Sequence, residues 1–341
     1  MKVLFIGGTG NISTECVGLA VARGHEVTLL NRGKRSAAIP GTKQIIADIN
    51  DPKAAASAIG TQRWDVVADF ITFTPEQIEQ RINLFRGRTG QFIFISSASA
   101  YQRPVTNYLV TESTPLANPY WDYSRNKIAC EERLLRALRE EAFPFTTVRP
   151  SWTYGPTVIP LAVTSFGKYF TGLDRMRRGK PMIVPGDGTS LWAMTHNTDF
   201  AKGFVGLFGH PHANGQALHI TSDEVLSWDQ IYRIVADAAG VDKLNLVHIA
   251  SDFITACVPE MTGGLHGDKA CSVVMDNSKI KRFVPDFVCT TKLREGVAKS
   301  IAWYDADPAR QVIDQEANAA WDKMIAAYEQ GLDAARREFG R

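Results

Sequence analysis

The sequence predicts an α/β fold: a doubly wound parallel sheet covered by helices, joined to a smaller, mostly C-terminal lobe. Three observations carry this. The apolar run Val3–Ile6 passes at once into a glycine turn, Gly7-Gly8-Thr9-Gly10, and then into a helical pattern. Short, nearly continuous apolar strands alternate with helical stretches as far as Arg149, as expected of parallel strands buried on both faces. After Arg149-Pro150 the texture changes: YGPTVIP, RRGKPMIVPGDGTS and FGHPHANG are Pro- and Gly-rich and separate shorter elements.

Taken in order, Val3–Ile6 is a strand and Asn11 to Arg23 a helix. Val27–Leu30, Gln44–Ala47, Val66–Phe70, Phe92–Ile95 and Thr146–Arg149 are further buried strands. Pro52–Ile59, Pro75–Phe85 and Tyr123–Glu141 are the helices between them. Right-handed connections wind such a sheet in two directions, with a ligand crevice at the carboxyl ends of its strands. The expected division is residues 1–152 with 196–222 for the sheet domain, and 153–195 with 223–341 for the lobe. Near the end, Trp321, Met324, Ile325, Tyr328 and Leu332 recur at helical spacing. They mark an amphipathic closing helix whose stripe is core or a subunit contact.

The chain of 341 residues is 45% hydrophobic and 22% charged, with a net charge of +2. That balance offers no electrostatic footprint for nucleic acid or an anionic membrane. No apolar run approaches the roughly 20 residues needed to span a bilayer. Five scattered cysteines without ligand-like spacing fit free thiols in a reducing cytoplasm. The seven histidines show no metal-ligand spacing, so no metal is expected.

The chemistry begins at the glycine turn, where backbone N–H groups at a helix start suit a pyrophosphate. The familiar third glycine is replaced by Ser13. No acid stands at the end of the second strand; Asn31 is followed by Arg32, Lys34 and Arg35. Asn bonds a ribose and guanidinium groups suit a 2′-phosphate, which favours NADP; the same residues equally form a solvated basic turn. Asp48 suits the adenine amino group or a helix N-cap. Asp69, at a strand end, is a functional carboxylate or a local cap. Ser96, Ser97 and Ser99 follow the strand Phe92–Ile95 at the ligand edge. Tyr123 and Lys127, one helical turn apart, share a face. An ammonium beside a phenol lowers its pKa, and a serine hydroxyl can hold the substrate oxygen while the phenol moves the proton.

With GGTGNIS, the Ser97 strand end, TESTPLANPYWDYSRNK, VRPSWTYGP, PGDG…HNTDFA, DNSKIKR and LREGVAKSIAWY in this order, the chain resembles an extended short-chain dehydrogenase/reductase. The branch it resembles is the NAD-dependent epimerase/dehydratase family, with a Rossmann fold. The resemblance implies a catalytic trio of Ser97, Tyr123 and Lys127, with Lys127 also reaching the nicotinamide ribose. It implies Gly7, Gly10, Asn11 and Ile12 around the pyrophosphate, and Asp48 and Ile49 at the adenine. Phe70, Ile71 and Thr72 would lie beside the cofactor, with Pro150 and Ser151 flanking the nicotinamide. Helix-to-helix dimers are common in the family, so the resemblance admits a homodimer while the sequence leaves the oligomeric state open.

Three departures narrow the expectation. Ala98 and Ser99 stand where dehydratases of the family carry Asp-Glu. Trp152 and Trp192 stand where nucleotide-sugar epimerases carry an Asn and an Arg for the diphosphate. The tryptophans suit stacking on a sugar or aglycone, or ordinary packing; Arg175, Arg177 and Arg178 are alternative charges for a phosphate. The expected function is an NAD(P)-dependent oxidoreductase or epimerase acting on a hydroxyl or ketone of a small carbohydrate-like substrate. The alternatives are a nucleotide-sugar epimerase and a non-catalytic NAD(P)-sensing regulator.

Overall fold

A computed structural model describes residues 1–33 and 39–340. The strands β1 (Lys2–Ile6), β2 (Glu26–Asn31), β3 (Thr42–Ile46), β4 (Trp64–Asp69) and β5 (Thr89–Ile95) join Phe145–Pro150 and Ala217–Ile220 in one sheet. Its order is Ala217–Ile220, Phe145–Pro150, β5, β4, β1, β2, β3, and every pairing is parallel. The strand order reverses between β1 and β4, which register Val3 with Val66 and Ile6 with Asp69. Such a reversal opens a crevice beyond the strand ends.

Alternate strand residues feed two separate cores, which is why the strands are apolar without alternation. Val3, Phe5, Val27, Leu29, Val66 and Ile93 pack beneath α1 (Ser13–Ala22) and the helix Asn197–Gly206. Leu4, Ile6, Leu30, Val67, Phe92 and Phe94 face α2 (Pro52–Ile59), α3 (Pro75–Phe85) and α4 (Asp122–Glu141). The local sequence starts these helices: Asp51 caps α2 ahead of Pro52, and Thr74 with Gln77 forms a capping box on α3. The helical pattern read from Asn11 begins at Ser13, because the turn occupies the two preceding residues.

The chain forms two compact units. The first comprises Met1–Thr153, Thr195–Asp223 and Met275–Thr290. The second comprises Tyr154–Met194, Glu224–Val274 and Thr291–Arg341. Met275–Thr290 therefore departs from the lobe expected over 223–341: Ile280, Val284 and Phe287 are buried in the first unit's core. In the second unit Met182–Pro185 pairs in parallel with Leu246–Ile249, and Val225–Ser227 runs antiparallel to Leu191–Ala193. The closing helix Gln315–Glu338 buries Trp321, Met324 and Ile325 and packs Tyr328 against them, whereas Leu332 is exposed. Among the described residues no helix is long and apolar enough to cross a membrane, and all five cysteines are free.

Candidate active site

Beyond β1 the chain turns through Gly7 at φ +80°. A Cβ there would collide with the Ile71 side chain, so the position accepts only glycine. Ser13 closes the turn: its hydroxyl donates to the Gly7 carbonyl at 2.7 Å and accepts the Gly10 N–H at 2.9 Å. The missing third glycine is thus replaced by a buried hydroxyl that ties the loop. The Asn11 amide donates to the Thr153 carbonyl at 3.0 Å, while its backbone carbonyl accepts from Asn197 at 2.8 Å. No side chain caps α1 at Ile12; the Thr14 N–H bonds the Gly10 carbonyl at 3.1 Å, and the helix start around it suits an anion.

A cavity of about 290 Å³ opens here, lined in part by Gly7, Gly10, Asn31, Arg32, Ile49 and Ile71. Arg32 is exposed and makes no ion pair among the described residues; Arg35 lies outside them. Asp48 folds back on its own loop, its Oδ1 accepting the Asn50 N–H at 3.0 Å, and the cap of α2 is Asp51. Phe70 turns its ring into the core against Phe5 and Phe204. The Thr72 hydroxyl donates to Asp69 at 2.7 Å. The glycine-only turn, the uncapped helix start and the adjoining cavity fit the adenosine diphosphate part of a dinucleotide.

Lys127 is buried on α4, its Nζ donating to the carbonyls of Thr72 at 2.6 Å and Ile95 at 2.7 Å. Burial lowers its pKa to about 8, opposed by the nearby Asp69 and Glu131 carboxylates. The ammonium lies 5.7 Å from the Tyr123 ring centroid and 4.6 Å from that of Phe73. Tyr123 is half-buried, its ring 4.9 Å from Trp121 and 6.4 Å from the exposed Phe73. Ser97 lies two residues beyond the end of β5. Its Oγ accepts the Ser99 N–H at 3.1 Å and lies 2.8 Å from the Ser99 hydroxyl, which accepts from Ser124 at 2.7 Å. Either Ser97 or Ser99 can donate in that contact, because the Ser99 oxygen has a second lone pair beside the one that Ser124 uses. Ser124 and Asn197 escaped the sequence reading; their only signals were their places beside Tyr123 and at the start of a helix. Pro150 ends its strand in register with Ile220, and Ser151 is half-buried just beyond.

Trp152 is half-buried in the first unit. Trp192, in the second, is 3% exposed and stacks on Trp228 at 5.7 Å, with its indole N–H unpartnered. The three arginines offered as substitute charges are already engaged. Arg175 is buried and bonds Asn318, the Pro181 carbonyl and Asp322. Arg177 pairs with Asp305, and Arg178 with Asp174.

The NAD dependent epimerase/dehydratase family matches residues 3–221. The chain is similar to the chloroplast stem-loop binding protein of 41 kDa b of Arabidopsis thaliana, 27% identical over 261 residues, covering 72% of this chain and 65% of that one. It is 26% identical to 2′-dehydrokanamycin reductase of Streptomyces kanamyceticus over 253 residues, 70% of this chain and 67% of that one. The chain thus spans about two thirds of the length of these two relatives. A UDP-glucose 4-epimerase of Lactobacillus helveticus is 28% identical over 346 aligned residues, 90% of this chain and 98% of that one. Among solved structures, Pal from Bacillus thuringiensis superposes with a TM-score of 0.72 at 20% identity, covering 90% of this chain and 99% of that one. UDP-glucose 4-epimerase from Bifidobacterium longum, solved with NAD+ and UDP, gives 0.72 at 18% identity, covering 92% and 100%. These two likenesses show the fold. The sequence match across most of the chain, on a sheet that reverses at β1 and β4, makes this protein an extended short-chain dehydrogenase/reductase of the NAD-dependent epimerase/dehydratase family.

Proposed function

We propose that this protein is an NAD(P)-dependent oxidoreductase or epimerase acting on a hydroxyl–ketone pair of a sugar or sugar-like substrate that carries no nucleotide. The observation that carries the reading is Lys127: a buried ammonium with two N–H groups fixed on backbone carbonyls, near the ring of a half-buried tyrosine. Its third N–H serves the phenol or a ribose hydroxyl. The ammonium favours phenolate, so Tyr123 takes the carbinol proton during oxidation and returns it during reduction. Ser97, at the end of the same sheet edge, bonds the substrate oxygen. When bound, the nicotinamide accepts or supplies the hydride.

The pairing of Arg175, Arg177 and Arg178 within their own unit supports a substrate without a diphosphate, since that group needs cationic partners when it is enclosed. Neutral Asn31, and an Arg32 that makes no ion pair among the described residues, favour NADP at the cavity. The named relatives include a reductase of an antibiotic, a nucleotide-sugar epimerase and a stem-loop binding protein. The Ser97, Tyr123 and Lys127 set and a net charge of +2 favour the enzymatic reading over nucleic-acid binding.

The test is a panel of free sugars, glycosides and nucleotide sugars followed by nicotinamide absorbance, with product analysis for epimers. Calorimetric titration with UDP, dTDP and GDP runs beside it. Turnover of an uncharged sugar or glycoside supports the reading. Tight binding of one nucleotide, with efficient turnover of its sugar, replaces it by a nucleotide-sugar epimerase.

A further inference from the structure

Asp69 and Arg81 form an ion pair whose side chains are both 0% exposed. Asp69 ends β4. Arg81 stands on α3 among Ile78, Ile82 and Phe85, a helical stripe that otherwise carries only core residues. Arg81 Nε donates to Asp69 Oδ2 at 3.0 Å. Its two outer nitrogens reach the other way, Nη1 to the Ile49 carbonyl at 3.0 Å and Nη2 to Asn50 Oδ1 at 2.8 Å. Asp69 extends the linkage by accepting the Ile71 N–H at 2.9 Å and the Thr72 hydroxyl. One guanidinium thus grips the loop after β3 directly and the loop after β4 through its carboxylate partner. Ile49 and Ile71 line the cavity from these two loops.

Stability alone does not account for the arrangement, because apolar residues of similar volume replace buried ion pairs at little or no loss. An apolar side chain has no donors with which to hold a carbonyl, an amide oxygen and a carboxylate at once; the planar fork of arginine has. We propose that Arg81 is the positioning residue of the dinucleotide cavity, holding the Ile49–Asn50 and Ile71–Thr72 loops in register so that affinity for the adenosine half depends on a buried side chain behind the site. The proposal rests on the reading of this cavity as a dinucleotide site. It also joins that cavity to the catalytic helix, since the Thr72 carbonyl accepts from Lys127.

Calorimetric titration of ADP-ribose, NADH and NADPH into the full chain tests it. ADP-ribose carries the adenosine and both phosphates without nicotinamide, so it probes the cavity by itself. Arg81→Lys keeps a cation beside Asp69 but loses the fork, and should weaken each of these ligands about 10–100-fold, the scale of a displacement near 1 Å. The double variant Asp69→Asn/Arg81→Met removes both charges together, leaves no unpaired carboxylate to unfold the chain, and should show a similar loss. Millimolar guanidinium should restore affinity to Arg81→Ala by occupying the vacated place. If the unaltered chain binds none of ADP-ribose, NADH and NADPH, the dinucleotide reading falls and takes this proposal with it. If it binds any of them and a folded variant binds that ligand within about twofold of it, Arg81 positions nothing and the proposal alone is overturned. A loss that guanidinium does not relieve is a packing effect and overturns it as well.

Discussion

At the scale of single residues, Lys127 keeps an ammonium where solvation is poor, and its titration exposes that. Burial lowers its pKa from 10.5 to about 8, so between those values the unfolded chain binds more protons than the native one. This group therefore makes stability rise with pH across that window. Denaturant unfolding of the native chain and Lys127→Met at pH 7 and pH 10 should show the native chain gaining on the variant at the higher pH. A constant difference contradicts a buried charge. Tyr123→Phe keeps the ring and removes only the proton carrier. Turnover should fall roughly 10²–10⁴-fold with NADH affinity little changed; near-normal turnover in a chemistry-limited assay refutes the assignment. Arg32→Ala should weaken NADP more than NAD in paired titrations, because the exposed guanidinium at the cavity has no competing anion among the described residues. Equal losses, or tighter NAD binding by the native protein, would exclude the preference. The order of Ser97, Tyr123 and Lys127 was legible in the sequence because it depends on spacing along one helix and one strand end. The hydrogen-bond chain through Ser99 and Ser124 was not, since it depends on how a short 3-10 turn over Ala98–Ala100 meets α4.

At the scale of elements, strands and helices followed from local pattern wherever one face or both had to be buried. Apolar runs without alternation gave the parallel strands, and the helices read from Pro52 and Pro75 start there, with Asp51 rather than Asp48 capping α2 and Thr74 capping α3. Arg81 was hidden within such a pattern. A charge on a buried stripe is a visible anomaly in sequence, but its partners come from two other loops and only the folded chain identifies them. The end of α4 carries a local conflict. Ala142 has φ +51° and is the one non-glycine residue with positive φ among the described residues. It occupies the left-handed position that closes many helices, where glycine avoids a Cβ penalty of about 1–2 kcal/mol. Ala142→Gly should therefore raise unfolding free energy by about 1 kcal/mol, reduced somewhat by the added freedom of the unfolded chain. A loss of stability in chemical denaturation would show that the alanine methyl makes contacts worth more than the strain.

On the scale of the whole molecule, the change of texture after Arg149-Pro150 did announce a second kind of structure. The return of Met275–Thr290 to the first unit stayed unreadable, because three apolar residues in and just after the short helix Ser278–Phe283 suit either core equally well. Ile280, Val284 and Phe287 go to the layer beneath the sheet that also holds Phe200 and Phe204. A chain ending at Val274 should accordingly lose cooperative unfolding and NADH binding together, as followed by circular dichroism and titration; a folded, NADH-binding fragment would contradict that account. This late-arriving patch also sets an order of events during synthesis. The last strand of the large sheet leaves the ribosome with Ile220, yet the wedge that seals its underside follows on the order of ten seconds later at ordinary elongation rates. Throughout that interval the part of the underside that Ile280, Val284 and Phe287 later cover lies open to chaperones and to neighbouring nascent chains. Cells short of chaperone capacity should therefore lose this protein at birth, before cofactor can protect it.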